Sequence, residues 1–251
     1  MTSRVVVLVL LAVLACGAIA GALVGRKALH WRKSLRQLNA RLADVQGMSP
    51  YAAENDRLAS EGRTPDVVFL GASHTIDWGD LGRRLPGLTV MNRGLGGMLV
   101  PQYLLRFRQD VLTLSPKVVV FEGCAINAGF KVPVRTLVDT YASLAELSRL
   151  HGIEPVITTH MPVGPQYENL APGTNKAVAE LNEALRALAQ KNGYALADYS
   201  RIATKPDGFL DDPGSKDGLH ASAALYDRMF TVLKPALDDA LSRSRAASVA
   251  R

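Results

Sequence analysis

Asp66-Val-Val-Phe-Leu-Gly-Ala-Ser-His-Thr75 is an apolar run that feeds directly into a small-residue turn carrying a serine. Residues 66–70 are short, largely β-branched and apolar on both faces, as befits a strand covered from both sides. Four further segments share that character: Leu88–Met91, Lys117–Glu122, Glu154–Thr159 and Tyr194–Asp198. Helical periodicity fills the gaps between them, at Pro101–Leu114, Pro133–His151, Thr174–Lys191 and from Ala221 to about Arg243. Gly152 and Gly193 stand where two of these helices should stop. Regular strand–helix alternation predicts a three-layer α/β/α sandwich, with a parallel sheet of about five strands between two helical layers.

Ligands in such sheets gather just beyond the carboxyl ends of the strands. The first strand ends at Gly71-Ala72-Ser73, the second at Asn92-Arg93-Gly94-Leu95-Gly96-Gly97, and the third at Gly123-Cys124-Ala125-Ile126-Asn127. After the fifth comes Asp217-Gly-Leu-His220, a carboxylate three residues before a histidine. All four loops open on one edge. A serine, a base and a group that orients the base make an activated oxygen nucleophile. Attack on an ester creates an oxyanion, which needs donors: the N–H groups of Ser73 and Gly94 and the Asn127 side-chain amide are the candidates.

Each residue also has a plainer reading. A serine at a strand-to-helix turn is often a helix cap. Asp217 reads equally as a turn residue, His220 as a helix-start residue and Asn127 as loop. His160 reads as a packed or solvent histidine, His74 as a neighbour that points elsewhere if Ser73 faces the site, and Arg93 as a surface or helix-capping residue or a contact for an acidic substrate group. Cys124 reads as a small buried residue, with no basic neighbour in sequence to activate it.

Taken in order, Gly-Ala-Ser73, Asn-Arg-Gly94, Ala-Ile-Asn127 and Asp217-x-x-His220 resemble the SGNH, or GDSL-like, hydrolase superfamily, over roughly residues 66–237. The resemblance implies a flavodoxin-like esterase or acyl hydrolase that uses no metal and no cofactor. Its triad would be Ser73, Asp217 and His220, and its oxyanion donors Ser73, Gly94 and Asn127. The substrate implied is an ester on a carbohydrate or lipid, with a small acyl group such as acetyl. Acyl transfer to a glycan and a non-catalytic, membrane-tethered binding domain are the alternatives. Two positions depart from the family: Ala72 replaces the usual aspartate before the serine, and Ala128 the usual aspartate after the asparagine. An α/β-hydrolase fits less well, because Thr75 stands where a nucleophile elbow has glycine.

The 251 residues carry a formal net charge of +6. Arg4, Arg26, Lys27, Arg32, Lys33, Arg36 and Arg41 all precede residue 46, against Asp44 alone, and without them the basic and acidic residues are equal in number. The remainder is neutral, so nucleic acid is not an expected partner. With two cysteines, Cys16 and Cys124, neither a disulfide framework nor metal-type Cys/His spacing is present in the sequence.

Val5–Val24 is uncharged and long enough to span a bilayer, which predicts an N-terminal transmembrane helix. A signal peptide cut after Ala18-Ile19-Ala20 and a lipidated Cys16 are the other readings. Three regions follow: an anchor or signal over 1–25, a basic amphipathic helix and linker helix over 26–64, and the hydrolase domain over 65–251. Ala28, Trp31, Leu35, Leu38, Leu42 and Val45 form an apolar stripe suited to a stalk, a headgroup surface or the domain itself. Ser49-Pro50 reads as the start of the linker helix and Gly62 as its end. Basic residues after the span favour a cytoplasmic domain. The envelope substrates implied by the family favour the outside, which is the expected side.

Overall fold

The computed structural model describes residues 17, 21–27, 29–32, 34 and 50–249, with side chains to residue 247. The chain divides into two units at residues 48 and 49. In the first, residues 21–27 are helical. Most of the expected span Val5–Val24, and most of the stripe between residues 28 and 45, lie outside the described residues. Among the described residues, no helix is long and apolar enough to cross a membrane.

The second unit is a three-layer α/β sandwich. Helix α1 (Ala52–Ser60) precedes β1 (Val67–Gly71), and two short helices, α2 (Ser73–Ile76) and α3 (Leu81–Arg84), lead to β2 (Val90–Gly94). Then come α4 (Val100–Asp110), β3 (Val118–Glu122), α5 (Ile126–Gly129), α6 (Val134–Leu150) and β4 (Glu154–Thr158). The chain closes with α7 (Pro165–Leu170), α8 (Thr174–Asn192), β5 (Ala195–Ala197), α9 (Tyr199–Ala203) and α10 (Ala223–Val249). The five strands are all parallel, in the order β2-β1-β3-β4-β5.

Alternation along each strand builds the two faces. Val67 and Phe69 of β1, Val118 and Val120 of β3 and Val156 of β4 share a core with Leu225, Met229, Leu233 and Leu237 of α10. Their neighbours face the other way, where Phe121 meets Phe107 of α4 with ring centroids 6.1 Å apart. Every residue of β1 and β3 is buried, so an apolar run with no polar face could only be an inner strand.

This order places β1 between β2 and β3, where the chain reverses its direction of travel across the sheet. At such a switch point the loops leaving two adjacent strands diverge and leave a crevice beyond their carboxyl ends. The register pairs Gly71 with Gly94 on one side and with Glu122 on the other. Three candidate loops therefore start from one level of the sheet.

The linker helix begins one residue after Tyr51, at Ala52, rather than at Pro50, which lies in the preceding turn. Ser49 lies outside the described residues.

Candidate active site

Ser73 is the first residue of α2, so its N–H has no intrahelical acceptor. Its Oγ lies 3.1 Å from His220 Nε2. Nδ1 of the same ring donates to Asp217 Oδ2 at 2.6 Å. Because Nδ1 carries that hydrogen, Nε2 turns its lone pair to the Ser73 hydroxyl, as a general base must. The three triad candidates, 147 residues apart at the extremes, thus meet in one chain of contacts.

Asp217 and His220 are joined locally. Asp217 Oδ1 accepts the backbone N–H groups of Leu219 and His220, each at 2.9 Å. Gly218 adopts φ +72°, which bends the chain back so that carboxylate and ring face each other. Burial alone would raise the Asp217 carboxyl. The His220 ring and the two N–H groups outweigh it and hold the carboxyl at about 2. The pair is open to solvent, with side chains 41% (His220) and 52% (Asp217) exposed.

Gly94 and Asn127 sit on either side of the nucleophile turn. A side chain at 94 would approach the Ile76 nitrogen to 2.6 Å and the Ala72 carbonyl to 3.0 Å, so glycine is required there by contact with α2. The Gly94 N–H donates to Asn92 Oδ1 at 2.9 Å. Asn127 is fully buried: its Oδ1 accepts from the Val100 N–H and its Nδ2 donates to the Cys124 carbonyl, both at 2.9 Å. The amide nitrogen has a second hydrogen to give.

Asn127 is therefore more than a loop residue, and its removal would act on the fold too. In Asn127→Ala the Val100 N–H is left without its acceptor inside the protein, at a cost of about 1–3 kcal/mol. Loss of one oxyanion donor lowers turnover by about 10²–10³. We expect Asn127→Ala to lower Tm, and to depress kcat by that factor with KM little changed, by steady-state kinetics on the folded variant. A kcat change under about threefold assigns Asn127 to the scaffold alone.

Two residues singled out in the sequence have other surroundings than expected, and a third, His160, fits its packed reading. Cys124 does have a basic neighbour: His74, adjacent to Ser73 in sequence, is hydrogen-bonded to it. Burial pushes the Cys124 thiol up, but the His74 ring and the N–H groups of Ile126 and Ala125 bring it below its ordinary value. Arg93 is neither a surface nor a capping residue; it is 2% exposed, and its guanidinium is held by Asn55 and Glu54. His160 is packed. Burial lowers its ring to about 3, and Nε2 lies 2.9 Å from the Tyr141 hydroxyl.

Other supports were not read from sequence as such. His74 Nε2 donates to the Leu219 carbonyl at 2.9 Å, and its ring meets the edge of His220 with centroids 5.8 Å apart. Glu122, fully buried at the end of β3, accepts from Thr75 Oγ1, Trp78 Nε1 and Tyr199 OH, each at 2.8 Å. Burial pushes its carboxyl up against these bonds. Its signal was a charged residue closing an otherwise apolar strand. Ala72 gives α2 no side-chain cap, as its departure from the family pattern implied. The turn is tied instead by Glu122 on the Thr75 hydroxyl, and by Asn92 Nδ2 on the Thr75 carbonyl at 2.5 Å.

A serine, a correctly oriented imidazole and its carboxylate stand at the switch point of a parallel sheet, and the profile of the GDSL-like lipase/acylhydrolase family matches residues 60–228. The chain belongs to that family. It is accordingly a serine hydrolase acting on ester bonds. Among solved structures it is similar to a GDSL-like lipase from Bacteroides thetaiotaomicron, at 27% identity and TM-score 0.67, over 79% of this chain and 98% of that one. A Bacteroides fragilis protein assigned as an acylhydrolase aligns at 28% identity and TM-score 0.67, over 76% and 96% of the two chains. The lipase/acylhydrolase from Enterococcus faecalis shares the fold at 19% identity and TM-score 0.58, over 70% and 95%. No curated protein matches this sequence.

A cleft of about 890 Å³ opens elsewhere, beside α8, and is lined by Lys176, Glu183, Arg186, Asp198 and Phe209 among others; no triad residue lines it.

Proposed function

We propose that the GDSL-like domain cleaves an ester carried on a carbohydrate or lipid by a two-step acyl-enzyme route through Ser73. Ser73 Oγ attacks the ester carbon as its proton passes to His220 Nε2, and Asp217 steadies the imidazolium. The oxyanion takes hydrogen bonds from the Ser73 N–H and the second hydrogen of the Asn127 amide. The Gly94 N–H joins them by exchanging Asn92 Oδ1 for the oxyanion. Collapse breaks the ester C–O bond, and the alcohol leaves with the proton from His220. Water then attacks the acyl group, His220 takes its proton, and the acid departs as that proton returns to Ser73.

The observation that carries this reading is the contact chain from Ser73 Oγ through His220 to Asp217, at 3.1 and 2.6 Å. The open position of His220 and Asp217 supports a large alcohol portion, since a polymer or headgroup can reach the serine without entering a tunnel. A short acyl group, such as acetyl, is the counterpart. The test is covalent labelling with a fluorophosphonate followed by peptide mapping. Label on Ser73 is the expected result, and an unlabelled or differently labelled protein overturns the assignment.

The apolar run Val5–Val24 supports anchoring of the full chain in a membrane, with the hydrolase domain outside the cytoplasm. The protein should then resist carbonate extraction, and protease added to intact cells should remove the domain. A domain protected until the cytoplasmic membrane is opened reverses the orientation.

A further inference from the structure

The end of β2 is gripped by side chains from outside the sheet. The Arg93 carbonyl accepts from Arg106 Nη2 at 3.0 Å, and the Gly94 carbonyl from the Tyr51 hydroxyl at 2.6 Å. The next N–H, of Leu95, donates to the Gly71 carbonyl at 3.0 Å. Both peptide planes that flank the Gly94 Cα are therefore pinned. A glycine has no side chain to restrict its own φ and ψ. Its N–H lies in the plane that Arg106 holds, and Tyr51 holds the plane after it, so the two together fix the φ and ψ that the glycine leaves free.

Tyr51 does not act alone. Its ring lies against the Arg93 guanidinium, 4.7 Å from centroid to carbon. On α1, Asn55 Oδ1 accepts from Arg93 Nε at 2.9 Å, Asn55 Nδ2 donates to Asp110 Oδ1 at 2.8 Å, and Glu54 lies 3.1 Å from Arg93 Nη2. Asp110 in turn pairs with Arg106 at 2.6 Å, with neither side chain exposed. Buried charges of this kind carry a large desolvation penalty and are a weak source of stability. Their connected hydrogen bonds favour a single geometry. Tyr51, Glu54 and Asn55 all precede residue 60, where the match to the family begins. The share of the grip that α1 and Tyr51 supply therefore comes from a part of the chain that the family profile does not cover, whereas Arg106 and Asp110 lie within it.

We propose that Tyr51, delivered by α1, is a positioning residue for the oxyanion site, holding the Gly94 peptide where its N–H can serve the reaction. The inference rests on the reading of Gly94 as an oxyanion donor. A catalytic donor has to be held within about 0.5 Å of its productive place. From 43 residues upstream, Tyr51 fixes the peptide on the carbonyl side of Gly94, while Arg106 fixes the one that carries its N–H.

Tyr51→Phe tests this in the full chain, purified in detergent. It deletes one hydroxyl and keeps the ring on Arg93, so the variant folds. Expected are a fall in kcat of about tenfold and an equal slowing of fluorophosphonate inactivation, because the phosphonyl oxygen uses the same donors. KM should stay within about twofold. A lower Tm with unchanged kcat, or a change confined to KM, overturns the proposal and leaves Tyr51 a structural residue. Wild-type protein that takes no label at Ser73 overturns the esterase reading and this one with it. Normal wild-type labelling with an unaffected Tyr51→Phe overturns this one alone.

Discussion

Replacing Ser73 with alanine is expected to bring hydrolysis of a short-chain aryl ester to background, with circular dichroism and Tm unchanged. Ser73 Oγ hydrogen-bonds to a histidine that is itself partly exposed, so the fold loses little. The chemistry loses its nucleophile. Members of such a triad act as a unit, and removing the serine costs on the order of 10⁶ in kcat in the best-studied case. A variant that keeps more than a few per cent of its activity would place the nucleophile elsewhere and remove the basis for an acyl-enzyme at Ser73.

The second large effect is expected at Asp217. In Asp217→Asn the amide oxygen can keep the two backbone bonds to Leu219 and His220, so the turn survives. The amide nitrogen then faces Nδ1, and donor against donor forces the ring to carry its hydrogen on Nε2, pointing at Ser73. The base is lost while the geometry remains, a change that costs on the order of 10⁴ in kcat in the serine protease triad. Since the carboxyl is held at about 2, Asp217 is ionised throughout any practical assay range, and the defect should appear at every pH. The stabilising bonds to Asp217 are fully present above its unfolded value near 4. They fade as pH falls through about 2. An Asp217→Asn rate within tenfold of wild type, measured at neutral pH, would show that another group orients His220.

Much of this was legible in the residues because the signals were local. Apolar runs such as residues 118–121 and 67–70 announce burial on both faces, and strand–helix alternation then leaves few topologies. The meeting of Ser73, His220 and Asp217 was legible for a related reason: strand ends at a switch point converge whatever the intervening sequence. Boundaries were less so. Leu88 sits in a turn, its N–H on the Leu85 carbonyl, and β2 instead runs on to Gly94 because Gly94 pairs with Gly71. Helices of four to six residues, such as α2 and α5, are too short to show a period. What could not be read was partnership at a distance. That Arg93 would be buried depends on Asn55 and Glu54, 38 and 39 residues earlier. His74 was set aside as a neighbour facing away from the serine, yet it bonds Leu219 across 145 residues.

The four-residue turn from Asp217 to His220 has a consequence for how errors spread through the site. The base and its orienting carboxylate are joined by three peptide bonds and by contacts made inside the turn, so they travel as one piece. The proposed catalytic machinery is then two parts, a serine on α2 and a histidine–aspartate cartridge on the loop before α10, with a seam between them. Displacement of either part registers at Ser73 and His220, and hardly at all at His220 and Asp217. That seam is stitched on both sides of the cartridge, by His74 on the Leu219 carbonyl and by the Gly164 N–H on the Gly218 carbonyl at 2.7 Å. Two hydrogen bonds that involve no side chain of Ser73, Asp217 or His220 thus help to hold the histidine–aspartate turn in register with the serine.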